Sequence, residues 1–179
     1  MKVMLNVFAF VFICCGIVNA QPIFPESWVG KYQGDLMIYG VDSVRMNVDM
    51  KLEISKTAKD SIYDWTLTYD MNGKKDVRAY SLKVVDHQKG YYQIDERNSI
   101  ILDGYLHNNN VFTSFFKVSN SYIIATYTKK EDLLFFEIIA GDGEAVTISG
   151  NTNQGEEEIP EVSSYLVNGR QKAVLQKVE

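Results

Sequence analysis

The sequence predicts an all-β chain: an antiparallel up-and-down β-barrel of about ten strands, with no long helix after its first 20 residues. Three observations predict it. Residues 44 to 55, "VRMNVDMKLEIS", set Val44, Met46, Val48, Met50, Leu52 and Ile54 against Arg45, Asn47, Asp49, Lys51, Glu53 and Ser55 without an error, the pattern of a strand with one face in water. Runs of this kind recur along the chain, separated by short stretches of turn residues. No segment places apolar residues at three-and-four spacing over ten or more positions, as an amphipathic helix requires.

"MKVMLNVFAFVFICCGIVNA" has Lys2 as its only charge, an apolar run from Val3 to Val18 and a small-residue end at Ala20, so residues 1–20 read as a secretory signal peptide. An uncleaved membrane anchor is the alternative, but about 16 apolar residues fall short of the roughly 20 that span a bilayer. Lipidation at Cys14 or Cys15 is a lesser alternative, because Ile13 and Cys14 precede them where a lipoprotein signal has Gly, Ala or Ser. The chain is therefore expected to be secreted, periplasmic or extracellular, as a single barrel domain over residues 21–179. Both cysteines leave with the signal, so no disulfide is available to that domain, and its length allows an adequate core without one.

In "ESWVGKYQGDLMIYG", residues 26–40, Trp28, Gly30, Tyr32, Gly34, Leu36 and Ile38 alternate with Val29, Lys31, Gln33, Asp35 and Met37. Two glycines beside two large aromatics on one face predict a first strand that coils sharply to meet the last, with Trp28 and Tyr32 covering one end of the barrel. "IYDWTLTYDM" alternates through Tyr63, Trp65, Leu67, Tyr69 and Met71, Asn72-Gly73 supplies a tight turn, and "DVRAYSLKVVD" returns. The runs "YYQIDE", "SIILDGYL", "VFTSFFKV", "YIIATYTK" and "LLFFEII" follow, each bounded by turn chemistry. "AGDGEAVTISGNTNQGEEE" reads as the most loop-like stretch. The closing "EVSSYLVNGRQKAVLQKVE" reads as two runs split by Asn168-Gly169.

The net charge is −5, and loss of Lys2 makes it one unit more negative, with no basic stripe. Nucleic acid is thereby disfavoured as a partner. Trp28-Val29-Gly30-Lys31-Tyr32 resembles the aromatic-x-Gly-x-aromatic start of the first strand in fatty-acid-binding proteins, which belong with lipocalins to the calycin group of barrels. The resemblance implies a calycin-like barrel that binds a small apolar or amphipathic molecule. It covers five residues, with strand count and meander order extending it loosely. Only "GVDS" separates the first two strands, leaving no room for the helical lid of fatty-acid-binding proteins, and no Gly stands two residues before Trp28 as in lipocalins. Their ligand residues are therefore not carried over.

Catalytic and metal chemistry finds little footing. His87 and His107 sit in the polar stretches "DHQKG" and "LHNNN", and without cysteine no tetrahedral site assembles from the usual ligands. Asp95 and Glu96 are neighbours that a strand points to opposite faces. Ser114, Ser163 and Ser164 lack a nearby base and a G-x-S-x-G turn. Asp142, Glu144 and Glu156 to Glu158, with Asn151 and Asn153, offer oxygens to calcium without EF-hand spacing, and a solvated loop is the simpler reading. No catalytic residue, metal or cofactor is expected, and the chain is read as non-enzymatic.

Arg78 is the most informative residue. It shares parity with Tyr80, Leu82 and Val84, so it points to the interior or the mouth, where it needs a carboxylate such as Glu96, an anionic ligand, or water at the strand end. The expected function is a ligand-binding barrel in which Tyr63, Trp65, Tyr69, Tyr80, Phe112 and Phe116 contact a small hydrophobic molecule and Arg78 its acidic head. The alternative is a solid-cored barrel acting through its surface or mouth, on an envelope component or as an inhibitor of a secreted enzyme. The sequence does not identify such a protein partner.

Overall fold

The computed structural model describes residues 23–178. The expected signal peptide and both cysteines lie outside them. A 3-10 turn, Glu26–Trp28, leads into β1 (Gly30–Tyr39), β2 (Val44–Lys56), β3 (Ile62–Met71), β4 (Lys74–Asp86), β5 (Tyr91–Asp95), β6 (Ile101–His107), β7 (Val111–Val118), β8 (Ser121–Lys130), β9 (Leu133–Ser149), β10 (Thr152–Gln154), β11 (Glu157–Ile159) and β12 (Val162–Lys177). β1 to β9 follow one another as an antiparallel meander, and β12 pairs with both β9 and β1 to close a barrel of ten strands; β10 and β11 form a separate hairpin. The all-β reading, the up-and-down order and the strand count are as the alternation predicts.

Alternation sets the inner face of each strand. Val48, Met50, Leu52 and Ile54 of β2 are buried while the residues between them are exposed. Register carries this face around the barrel: Leu52 lies opposite Tyr32 and Leu67, and Ile54 opposite Trp65, which lies opposite Tyr80. Closure depends on Gly34. A Cβ there would lie 2.2 Å from the Val174 carbonyl oxygen, so only glycine lets β1 approach β12 this closely.

Three expectations change. Trp28 lies in the 3-10 turn ahead of the first strand, and Gly30, at φ 149°, begins the strand in a conformation that favours glycine. The corner lets Trp28 turn under the barrel and close its end, as expected, but from outside the strand. Residues 141–149, read as loop, continue β9. Asn168-Gly169, read as a turn, lies inside β12, where register shifts between Val167 and Gly169 take up the irregularity. β8 stops pairing with β9 at Asp142 and β1 stops pairing with β12 at Gln171, so the two long strands run on past the barrel as a ribbon tipped by the β10–β11 hairpin.

The core is densest at the end that the N-terminal segment closes. Phe24 sits edge-on to Trp28 at 4.7 Å and to Tyr92 at 4.8 Å, and stacks on Phe112 at 5.3 Å. Trp65 meets Tyr127 at 5.1 Å, and Tyr127 meets Phe136 at 4.7 Å. The Tyr32 hydroxyl donates to the Trp28 carbonyl at 2.9 Å, which anchors the turn to β1. Leu82, Leu134 and Leu175 fill the gaps between rings.

Burial raises several phenols in this interior. Tyr32, Tyr69 and Tyr92 are each pushed up to about 12, chiefly by desolvation, with Asp132 adding to Tyr32 and Tyr63 to Tyr92, while the Arg78 charge works the other way on Tyr69. An unfolded tyrosine releases its proton near pH 10, so the folded state holds protons that the unfolded chain has lost. The stability these groups supply is complete below about pH 10 and is lost as pH rises toward about 12. Thermal melts across that window, read beside phenolate absorbance, are expected to fall steadily with pH; an unchanged melting temperature up to pH 12 would contradict the burial of these rings.

Candidate functional site

The barrel is filled at one end and open at the other. β1 runs from the closed end to the mouth, so Leu36 and Ile38 come last on its inner face; β4 runs the opposite way, so Asp76 and Arg78 come first. These residues, with Val48 of β2, Tyr69 and Met71 of β3, Ile138 of β9 and Gln171 of β12, line a recess of about 230 Å3. Leu36 and Val48, both buried, form its floor. Ile38, Tyr69 and Ile138 form its apolar walls, and Asp76, Arg78 and Gln171 bring polar atoms to it.

Arg78 has the inward parity expected of it, lying opposite Leu67, and its partner is Asp76. Its Nε and Nη2 donate to one Asp76 oxygen at 3.1 and 3.0 Å, and the guanidinium lies 5.0 Å above the Tyr69 ring. About half of each charged side chain is exposed, so this is a solvated ion pair held flat by an aromatic surface. Partial burial works against the Arg78 charge, but the Asp76 hydrogen bond and the neighbouring Tyr69 and Tyr80 phenols outweigh it and raise its pKa. Tyr80 is raised as well, first by burial and then by the Glu96 carboxylate. Glu96 is thus part of the electrostatic surroundings of the mouth without being the partner of Arg78. Asp76 was legible in principle, since it lies two residues from Arg78 on the same face; Gln171 carried the weaker signal of a polar residue on the inner face of β12.

The aromatic residues proposed from sequence fall into separate groups. Tyr69 and Arg78 line the recess. Tyr80, half-buried, is the next inward residue of β4 beyond Arg78, and Phe116 points inward from β7 opposite Ile123, outside the recess lining. Tyr63, Trp65 and Phe112 are buried in the closed half, and Trp65 and Phe112 face each other at 6.0 Å. Of the six rings expected to contact a ligand, only Tyr69 lines this recess. Parity puts them on one face, but they stand at different depths along the barrel axis. Sequence reasoning missed Leu36, Ile38, Val48, Met71, Asp76, Ile138 and Gln171, which complete the recess.

His87 Nδ1 lies 3.0 Å from the Tyr92 hydroxyl, at the closed end, and His107 ends β6. Asp95 accepts from the Arg97 backbone N–H at 2.7 Å. Ser114 is buried in the barrel, while Ser163 and Ser164 lie on β12. Among the described residues no group of three or more His, Cys, Asp or Glu side chains is placed to hold a metal ion, and no helix is long and apolar enough to cross a membrane.

No family model matches the chain, and neither does any curated protein. Solved structures do. The S-type phycobiliprotein lyase CPES from Guillardia theta superposes with a TM-score of 0.55 at 7% identity, over 86% of this chain and 90% of that one. At that identity the likeness is one of fold. Together with the closed ten-strand antiparallel meander, it identifies the fold of this chain as a calycin-like barrel.

Proposed function

We propose that the barrel binds one end of a small amphipathic molecule in the recess at its mouth, without catalysing a reaction on it. The observation that carries this reading is the division of the interior: a closed half filled by interlocked aromatic rings, and an open half with an apolar recess whose polar groups include Arg78, Asp76 and Gln171. At about 230 Å3 the recess is smaller than the roughly 300–1,000 Å3 of most ligand cavities. The part of the ligand that enters is therefore a single ring or a short branched chain, and the rest lies over the rim. Because Asp76 already answers the Arg78 charge, the rim offers donors and acceptors together, which suits a polar head with both as well as an anionic one.

One solved structure of similar fold is named as a phycobiliprotein lyase, so a barrel of this shape occurs in a protein named as an enzyme. The non-enzymatic reading rests on the side chains. In the recess the Asp76 carboxylate is taken up by Arg78 and burial keeps the Tyr69 phenol protonated, while His87 is engaged with Tyr92 at the far end. Export to a periplasmic or extracellular space belongs to the same proposal and rests on residues 1–20 alone.

The test is titration with anilinonaphthalene sulfonate, which carries aromatic rings and an anionic head. One saturable site is expected in the natural chain, and its loss is expected in Ile138→Trp, which fills the recess from β9. Binding that is absent, unsaturable or indifferent to Ile138→Trp would overturn the proposal. Arg78→Met is expected to change stability by no more than about 0.5 kcal/mol, because its ion pair is half-exposed. The same change is expected to weaken binding of the sulfonate about tenfold or more, since one charge-assisted contact at a rim is worth about 1.5–3 kcal/mol. Unchanged affinity would remove Arg78 from the site while leaving the recess in place.

A further inference from the structure

We propose that the projecting β9–β12 ribbon is a docking surface for a second copy of this chain, forming a two-fold dimer in which the acidic tip of each ribbon lies against the arginine groove at the base of the other. The proposal does not rest on ligand binding in the recess.

Four features of the ribbon point to it. From Val162 to Arg170, β12 pairs with β9 on one side only, because β1 leaves it at Gln171; its other edge carries unpaired backbone groups. Apolar side chains stand out along it: Leu166 is 51% exposed and Val167 63%, with Val162 and Tyr165 beside them. At its base lies a groove of about 330 Å3 between the β1–β2 turn and β12, lined by Tyr39, Arg45, Leu166, Val167 and Arg170 among others. Arg170 is paired with Glu137, but Arg45, laid across Gly40, has no anionic partner among the described residues. At the far end, Glu156, Glu157, Glu158 and Glu161 are exposed and equally unpaired among the described residues.

A two-fold axis satisfies all four at once. If two ribbons cross antiparallel with the axis near Leu166, Val162 of each chain falls opposite Arg170 of the other, and Glu161 opposite Gln171. The separation from Val162 to Arg170, about 26 Å at roughly 3.3 Å per residue, is the same in both copies, so each acidic tip meets one basic groove and the contact is made twice. Leu166 meets its own copy on the axis. Charge complementarity selects this register, because a parallel crossing would set tip on tip. Register shifts between Ser164 and Tyr165, Tyr165 and Val167, and Val167 and Gly169 interrupt the regular ladder of the ribbon. They prevent a long flat ladder, so association stops at the pair.

Sedimentation velocity of the full chain over a wide concentration range tests the proposal. A reversible monomer–dimer equilibrium is expected. Arg45→Glu and Glu161→Arg are each expected to weaken it at least about tenfold, and the double variant to recover most of the loss. Leu166→Asp should leave only monomer. All three positions are exposed, and unchanged thermal melts of the monomeric variants would confirm that the barrel is intact. A chain that stays monomeric throughout, a dimer indifferent to these changes, a double variant without recovery, or a monomer that instead takes up an unrelated acidic peptide at Arg45 would each overturn the assignment of this surface to a second copy.

Discussion

Gly34→Ala is expected to destabilise the barrel by about 3 kcal/mol or more, a large effect for the addition of one methyl group. The added carbon would lie 2.2 Å from the Val174 carbonyl oxygen and 3.1 Å from its carbonyl carbon, both of them backbone atoms of the strand that closes the barrel. No rotamer relieves such a contact. Either β1 and β12 move apart, or the seam between Gln33↔Gln176 and Leu36↔Ala173 distorts. The comparison is Gly73→Ala, where a Cβ meets nothing within 4 Å and the cost is the strain of φ +88° alone. For a domain of this size, 3 kcal/mol lowers the melting temperature by about 6–12 °C. Urea unfolding of both variants measures the difference. A Gly34→Ala chain as stable as the Gly73→Ala chain would mean that the seam is slack enough to admit a methyl group.

The same seam shows what the sequence could reveal. The inner face of β1, with its two glycines among large side chains, was readable because alternation has a period of two and a glycine on the core face stands out against it. The hairpin at Asn72-Gly73 was readable for a local reason, since both residues take positive φ, at 55° and 88°. Arg78 was placed on the inner face by parity. Depth along the barrel axis was not readable. Trp65 and Tyr69 sit four residues apart with identical parity, yet one lies in the filled half and the other lines the recess. What separates them is Phe24 and Trp28 turning under one end, a long-range event without a local signature. The ribbon was missed for the opposite reason. With water on both faces, residues 143–149 have no buried side to write an alternating pattern, so a regular strand there reads as loop.

The division of the interior also fixes where the largest side-chain effect falls. Trp65→Ala is expected to cost about 3–5 kcal/mol, because it removes a ring that is 1% exposed and leaves a void among Phe112, Tyr127 and their neighbours. The strands around that void are held at fixed spacing by hydrogen bonds to β2 and β4, so the walls cannot collapse inward. Tyr69→Ala, four residues along the same strand, removes a ring that already borders the open recess, and its cost is expected to be nearer about 1 kcal/mol. Binding should invert the order. Loss of Tyr69 takes away a wall of the recess and the surface beneath the Arg78 guanidinium, whereas loss of Trp65 leaves the mouth unchanged. Stability from urea unfolding and sulfonate affinity from titration, measured on both variants, give four numbers that must cross. If Trp65→Ala abolishes binding at full stability, or Tyr69→Ala costs as much as Trp65→Ala, then the closed half is not the core and the recess is not the site.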